Sequence, residues 1–277
     1  MINIETSHAK TVFSQNVPYI IFKMWEHNNE LVHAFSTREG GVSSGDCATL
    51  NFAFSRGDSP EVVRENYAIM ANALKVNKES FVASKQVHET KIERVTYEDK
   101  GNGVYLPNKW ESADGIYTTE KNLTLVTYYA DCVPLFFYAP KYELIGMAHS
   151  GWKGTVGEIG KKMATIWHEQ HGVPYEEIQV GIGPSIGKCC FEVHFDVAEV
   201  FLNTFGKADF ITYNKEIDKY NIDLWECCKQ SLKSLGIKQI EMADMCTCCN
   251  DDIFHSHRKT QGKRGTLSAF MCLRKED

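Results

Sequence analysis

The sequence contains no long apolar run. Its longest apolar stretches, such as Leu135 to Ala139, fall far short of the roughly 20 residues that a membrane-spanning helix needs. The segment from Met1 to Lys10 is polar and lacks the apolar core of a secretory signal. These absences predict a cytoplasmic protein that makes no contact with a membrane.

An excess of positive charge is also missing. The chain has 30 Lys and Arg against 36 Asp and Glu, which gives a formal net charge of −6. General nucleic-acid binding requires a basic surface, so we predict no nucleic-acid partner. A local basic cluster can still bind an anionic small molecule; it comprises Arg258, Lys259, Lys263 and Arg264.

Nothing in the sequence resembles a linker. No Pro/Gly/Ser-rich stretch, charge block or internal repeat divides the chain, which has only 7 prolines. A length of 277 residues lies near the upper limit for one hydrophobic core. We therefore predict a single domain over residues 1–277.

Cysteine, in contrast, is abundant, with ten residues. In a small secreted protein this number would indicate disulfides. In a large chain without an export signal, the thiols are expected to be reduced and available as metal ligands or nucleophiles.

Short β-branched or aromatic segments bounded by turn residues predict strands, and these outnumber the helices. Helices are predicted after the Ser59 cap, from about Val156 to Glu169, before Gly206 and after the Asp223 cap. Because strands and helices do not alternate one for one, the pattern favours an α+β fold with mixed sheets. The predicted strands are Tyr19 to Trp25, Leu31 to Thr37, Lys91 to Tyr97, Leu123 to Tyr129, Leu144 to His149, Ile178 to Ile182, Gln239 to Met242 and Thr266 to Cys272.

Two apolar runs flank a Pro140-Lys141 turn, which predicts a hairpin. If the loop centres on these two residues, Cys132 lies opposite His149, and opposed Cβ atoms are about 5 Å apart. That separation would let both side chains bind one zinc ion. A bulge at Pro134 would shift the register by one and place the two side chains on opposite faces.

A catalytic zinc needs a third protein ligand, and spacing alone does not select one among 10 histidines. His88 precedes the strand predicted at Lys91 and is one possibility. Taken singly, a cysteine is more often a small buried apolar residue and a histidine a hydrogen-bonded polar one.

Six motifs in chain order resemble those of the laccase-domain family, also called the YfiH or YlmD family. The resemblance covers about residues 35–273 and favours the bacterial YlmD branch. The motifs are Phe35-Ser36-Thr37-Arg38-Glu39-Gly40-Gly41-Val42-Ser43 with Leu50-Asn51, Lys85-Gln86-Val87-His88, Ala130-Asp131-Cys132-Val133-Pro134, His149-Ser150-Gly151-Trp152-Lys153-Gly154, Ile182-Gly183-Pro184-Ser185-Ile186-Gly187 with Cys189-Cys190-Phe191-Glu192-Val193, and Cys246-Thr247-Cys248-Cys249 with Phe254 and Ser256-His257-Arg258.

The resemblance implies an α/β/β/α sandwich and a zinc ion held by His88, Cys132 and His149. It also implies phosphorolysis of purine nucleosides, namely adenosine, inosine, guanosine or methylthioadenosine, to the free base and a sugar 1-phosphate. Adenosine deamination accompanies this activity in the family, and an older family name implies a copper polyphenol oxidase.

The chain departs from the family pattern near its C-terminal end. The family usually has a Tyr where His257 stands, and a Thr-Gly-Arg where this chain has Arg264-Gly265-Thr266. The position of the family's arginine is therefore altered, and Arg264 would replace it only if the loop shifts.

Four further residues are expected to act on substrate. Arg38 and Arg258 are predicted phosphate ligands, because a guanidinium matches phosphate oxygens in two parallel bonds. Asp131 is a predicted catalytic residue and Asp114 a predicted substrate-binding residue, and either could move the proton that deamination requires.

Three other functions remain open. Cys132 activated by His149 would make a thiol hydrolase, for example an amidase that edits peptidoglycan precursors. A copper oxidase is less favoured, since His255 and His257 form the one His-x-His pair. A non-catalytic scaffold is the third.

Cys246, Cys248 and Cys249 are a possible second metal site, but they lack a partner pair at zinc-finger spacing and are more simply interpreted as buried thiols.

Overall fold

The computed structural model describes residues 3–275. A first sheet contains six strands, and its spatial order is β1-β2-β3-β15-β7-β4. Strand β4 runs parallel to β7, whereas the other neighbours are antiparallel. These strands are β1 (Ala9–Ser14), β2 (Val17–Phe22), β3 (Leu31–Ser36), β4 (Phe81–Ala83), β7 (Thr124–Tyr129) and β15 (Leu267–Leu273).

A second six-stranded sheet has the order β14-β10-β8-β9-β6-β5, and a small third sheet has the order β11-β13-β12. Pairs β5–β6 and β10–β14 are parallel and the rest antiparallel. These strands are β5 (Ile92–Arg94), β6 (Gly115–Thr118), β8 (Val133–Ala139), β9 (Leu144–Ser150), β10 (Gln179–Ile182), β11 (Glu192–Val193), β12 (Ile211–Asn214), β13 (Lys219–Ile222) and β14 (Gln239–Met242).

Helices cover the outer faces of the two large sheets. The first follows the predicted start signal, because Ser59 accepts the Val62 N–H at 3.4 Å. The helix predicted from about Val156 to Glu169 forms over Ile159–His171, and a separate short helix over Trp152–Val156 precedes it. Glu158 adopts a left-handed conformation between the two. The helices are α1 (Pro60–Leu74), α2 (Trp152–Val156), α3 (Ile159–His171), α4 (Phe195–Phe205), α5 (Leu224–Lys233) and α6 (His257–Thr260).

Successive side chains of the central strands pack on opposite faces of their sheets, and the clusters that they join show how the layers are stacked. In β8, Leu135 and Phe137 pack into the cluster that contains Trp167 of α3, whereas Phe136 packs between the two sheets. In β15, Phe270 faces the cluster that contains α1. The order is therefore helices, sheet, sheet, helices, which confirms the expected α+β sandwich with mixed sheets.

The hairpin forms, but its register differs from the prediction. A 3-10 turn over Pro140–Tyr142 places Pro134 opposite His149 and Val133 opposite Ser150. This is a shift of two positions, so each side chain keeps its face of the sheet. Pro134 pairs within the continuous β8–β9 register rather than forming a bulge.

Several strands were not predicted, because they are short or lie at sheet edges, where the alternation of apolar and polar residues is a weak signal. They are β1, β4, β6, β11, β12 and β13. The single domain over residues 1–277 stays a prediction, and residues 1–2 and 276–277 lie outside the described part of the chain. Among residues 3–275, no helix has the length and apolar character to cross a membrane.

Candidate active site

His88, Cys132 and His149 converge at one end of the sandwich. Their ligand atoms all lie within 4.8 Å of one another, and the Cys132 Sγ is 3.9 Å from the His88 Nε2. His149 comes from the end of β9, and Cys132 from the loop that enters β8. The hairpin register differs by two residues from the prediction, but Cys132 and His149 still lie close together, as the hairpin pattern predicted.

Asp114 lies behind this cluster and is completely buried. Its carboxylate accepts the backbone N–H groups of Val87, His88 and Glu89, each at 3.0 Å. Its Oδ1 is also 2.9 Å from the His149 Nδ1. One carboxylate therefore shapes the loop that carries His88 and orients the His149 ring, whose Nε2 remains available as a ligand.

The electrostatics of the cluster favour an ionised sulfur. Burial raises the pKa of the Cys132 thiol, but the His149 and His88 imidazoles outweigh this effect and bring it down to about 6. Burial lowers the pKa of His149, yet Cys132 and Asp114 outweigh it and raise this pKa to about 9. Near neutral pH, Cys132 is consequently a thiolate, the form that binds metal or attacks an electrophile.

Unusual backbone conformations bring the three side chains together. His88 and Asp131 have φ values of 65° and 88°, which non-glycine residues rarely adopt. A Cβ at Gly151 would lie 3.0 Å from the Cys132 Sγ and 3.2 Å from a carbon of the His88 ring. A side chain at position 151 would therefore press against the sulfur and the imidazole of the cluster.

Comparison with known proteins places this chain in a family. A family model described as multi-copper polyphenol oxidoreductase laccase matches residues 32–274. The chain belongs to this laccase-domain family. It is 35% identical over 252 residues to a Bacillus subtilis protein named purine nucleoside phosphorylase YlmD, covering 90% of this chain and 91% of the relative.

Solved structures of the laccase-domain family share the fold. The Bacillus licheniformis hypothetical protein YfiH has a TM-score of 0.86 at 33% identity, covering 92% of this chain and 96% of that one. YlmD from Geobacillus stearothermophilus has a TM-score of 0.83 at 33% identity, covering 89% and 93%.

In this member of the laccase-domain family, the three-residue cluster opens into a cavity of about 750 Å³. Such a volume suits a small organic ligand. Aromatic side chains form part of its wall, among them Phe54, Tyr128, Tyr129, Trp152 and Phe191.

The charged groups of the cavity are mostly basic. Among the described residues, Arg56, Lys85, Arg258 and Arg264 line it, against one carboxylate, that of Asp131. An excess of fixed positive charge in a concave site favours an anionic ligand.

Arg264 stands out among these bases because it is only 9% exposed. Its Nη1 donates to the Gly265 carbonyl and to Thr266 Oγ1, while its Nε has no hydrogen-bond partner among the described residues. Burial and the nearby Arg56 lower its pKa to about 10. Although the family's Thr-Gly-Arg order is altered here, Arg264 reaches the cavity wall.

The other predicted substrate residues have different fates. Arg38 does not reach the cavity, because its guanidinium donates to the Ala48 and Asp251 carbonyls. Asp114 does not line the cavity either, and its oxygens accept the hydrogen bonds described above. Arg258 and Asp131 do line the cavity, and the Asp131 Oδ2 accepts the backbone N–H of Arg258.

Sequence reasoning missed Arg56, which follows Ser55 in an exposed loop. A lone arginine among turn residues carries no periodic or motif signal, so only the folded chain reveals its position.

Gln86 also has a role that was not predicted, although it belongs to the motif that contains His88. Its side chain bonds both the N–H and the carbonyl of Tyr128, at 2.6 Å each, and thereby ties the His88 loop to β7.

Asp114→Asn tests the orienting role of this carboxylate. We expect metal affinity to fall roughly 10–100-fold, as is typical when the hydrogen-bond partner of a metal ligand is lost. The measurement is a competition titration with a chromogenic chelator. Asp99→Asn is the matched control, because Asp99 is also buried and accepts a backbone N–H, from Thr96 at 2.8 Å, outside the cavity. Equal affinities in the two variants would contradict the role.

Proposed function

We propose that this chain is a zinc-dependent purine nucleoside phosphorylase that also deaminates adenosine. The observation that carries the proposal is a cluster of potential metal ligands on the same cavity wall as a buried arginine whose Nε lacks a hydrogen-bond partner among the described residues. Relatives named purine nucleoside phosphorylase support it. The substrates would be phosphate with adenosine, inosine, guanosine or methylthioadenosine, and the reaction would take place in the cytoplasm.

The donor set suits zinc. One thiolate and two imidazoles from His88, Cys132 and His149 are ligands that zinc accepts readily, and three protein ligands are typical of catalytic rather than structural sites. When bound, zinc supplies a positive charge that polarises an oxygen and orients the substrate. Copper accepts the same ligands, so metal analysis distinguishes the two.

In phosphorolysis, the bond between C1′ and the purine nitrogen breaks while a phosphate oxygen bonds to C1′. The protein must hold an anion against the sugar and keep the base in a fixed orientation. Arg264 and Arg56 would bind the phosphate, with Arg258 as a further donor. Arg258 uses Nη1 and Nη2 on the Cys190 and Glu192 carbonyls, and a guanidinium has five N–H donors in all.

The aromatic wall would hold the purine. Phe191 and Trp152 lie on the cavity, and stacking of a base on an aromatic ring contributes about 1–3 kcal/mol. The same rings exclude water from the glycosidic bond, which strengthens the electrostatic contacts.

Deamination exchanges the adenine amino group for the oxygen of water and releases ammonia. A carboxylate near the reacting carbon must take a proton from the water and return it to the departing nitrogen. Asp131 is suited to this task, because it is adjacent to Cys132 and is the one acidic side chain on the cavity wall among the described residues.

One observation supports a second function. Cys132, His149 and Asp114 form a chain of nucleophile, base and orienting carboxylate, which is the arrangement of a cysteine hydrolase. An amidase acting on peptidoglycan precursors would use it. Metal ligation accounts for the same contacts, since an orienting carboxylate behind a histidine is common to both kinds of site.

Cys132→Ala tests the primary proposal. We expect it to lose the metal and to abolish phosphate-dependent release of hypoxanthine from inosine, because thiolate contributes much of the affinity of such sites. The matched control is Cys272→Ala, which removes a buried thiol from β15 outside the cavity. Equal rates in wild type and Cys132→Ala would reject the proposal, whereas full amidase activity in metal-free wild type would favour the hydrolase.

Arg264→Gln tests the phosphate site. Loss of a charge-assisted hydrogen bond costs about 2 kcal/mol, so kcat/KM for phosphate should fall roughly 30-fold. KM for inosine should change little, and Arg94→Gln, an exposed arginine outside the cavity, should behave as wild type. A fall in inosine affinity without any effect on phosphate would contradict this assignment.

Asp131→Asn tests the proton-transfer role. Asn tolerates the left-handed backbone, and the Thr247 hydroxyl, now donating to Asp131 Oδ1 at 2.7 Å, can reverse its role to accept from the amide. Ammonia release from adenosine should fall at least roughly 100-fold, with phosphorolysis of inosine less affected. The control is the exposed Asp252→Asn. Unchanged ammonia release would exclude Asp131 as the proton carrier.

A further inference from the structure

A second group of potential metal ligands lies outside the three-residue cluster. Cys189, Cys190, Cys246 and Cys249 place their sulfur atoms within 4.8 Å of one another. The Sγ of Cys249 is 3.5 Å from that of Cys189 and 3.4 Å from that of Cys190. Four thiols from two distant segments of the chain thus share one small volume.

Two turns build this group, and backbone pairing holds them together. Ser185 N–H donates to the Met245 carbonyl at 3.2 Å, and Thr247 N–H donates to the Ser185 carbonyl at 3.0 Å. One turn then carries Cys189 and Cys190, and the other carries the Cys-x-x-Cys pair Cys246 and Cys249. The arrangement therefore depends on the fold and not on the position of a single side chain.

A backbone N–H also stabilises charge on one of the four sulfur atoms, that of Cys246. Gly187 N–H donates to the Cys246 Sγ at 3.3 Å, a contact that favours a thiolate. A Cβ at Gly187 would lie 3.3 Å from both the Cys189 Sγ and the Cys246 Cβ. Glycine at this position therefore lets the backbone approach the sulfur atoms closely.

We propose that Cys189, Cys190, Cys246 and Cys249 bind a structural zinc ion. Four thiolates at the usual Zn–S length of about 2.3 Å lie about 3.8 Å apart in a tetrahedron. The Cys249 Sγ lies 3.5 and 3.4 Å from those of Cys189 and Cys190, and no two of the four sulfur atoms are more than 4.8 Å apart. A site with four protein ligands has no position left for substrate, so its role is structural. The adjacent Cys248 is not part of the group and packs into the apolar core.

A zinc ion at this position would fix one wall of the cavity. The Cys190 carbonyl accepts from Arg258 Nη1 at 2.7 Å, and Thr247, between the two Cys-x-x-Cys ligands, donates to Asp131. Ile186 N–H donates to the Asp131 carbonyl at 2.9 Å. The four-cysteine site would thus connect the two turns that support Asp131 and Arg258.

The test is metal analysis of protein purified without oxygen from zinc-supplemented medium. The four-cysteine site should contribute one zinc equivalent per chain to the wild type, and the double variant Cys189→Ser/Cys249→Ser should lose that equivalent. Cys132→Ala should keep it. Cys248→Ser, from the same turn, is the matched control and should retain the wild-type content.

Cobalt substitution identifies the ligands independently of these counts. In the Cys132→Ala protein, bound Co²⁺ should show the charge-transfer and ligand-field bands of a tetrahedral four-thiolate site. This measurement decides the question even if the double variant does not fold. Equal zinc content in wild type and a folded double variant, absence of the cobalt spectrum, or a disulfide among these cysteines in the anaerobic protein would each overturn the proposal.

Discussion

The buried carboxylate of Asp114 is the interaction on which the candidate active site depends. It accepts three backbone N–H groups from the loop that carries His88, and it faces the ring of His149. Burial raises the pKa of a carboxyl group, but these hydrogen bonds lower that of Asp114 below its ordinary value. The folded chain thus maintains a negative charge at the point where the two histidines of the three-residue cluster must be oriented.

Asp114 can orient the His149 ring because both residues are held by a pair of hydrogen-bonded strands. Asp114 precedes β6, and His149 lies in β9, the strand paired with β6. The Asp114 carbonyl accepts the His149 N–H at 2.7 Å, which continues that pairing. Only the His88 loop has to be shaped by side-chain contacts, and its left-handed residue is stabilised by them.

The cavity combines this cluster with an excess of positive charge. Buried Arg264 supplies cationic donors on the same wall as His88, Cys132 and His149, so an anion can bind in the same cavity as this cluster. Arg258 and Asp131 belong to this wall and are hydrogen-bonded to the turns that carry Cys189 and Cys246. Any factor that holds those turns together therefore acts on the shape of the cavity.

Local patterns were sufficient for much of the fold. The Ser59 cap of α1, the β8–β9 hairpin and the α+β class follow from capping, periodicity and turn chemistry, which operate over a few residues. The hairpin pattern alone also brought Cys132 near His149. The choice of His88, however, required a family resemblance, because loop residues carry no periodicity.

Tertiary structure decided the rest, because those contacts join residues that are distant in the chain. It placed Arg56 and Arg264 on the cavity and directed Arg38 to backbone carbonyls instead. It also turned Asp114 from a predicted substrate contact into a support for two histidines. Finally, it supplied Cys246 and Cys249 with partners, Cys189 and Cys190, that lie more than fifty residues earlier. Sequence by itself determined which donor atoms were available, and the packing of two sheets determined which of them meet.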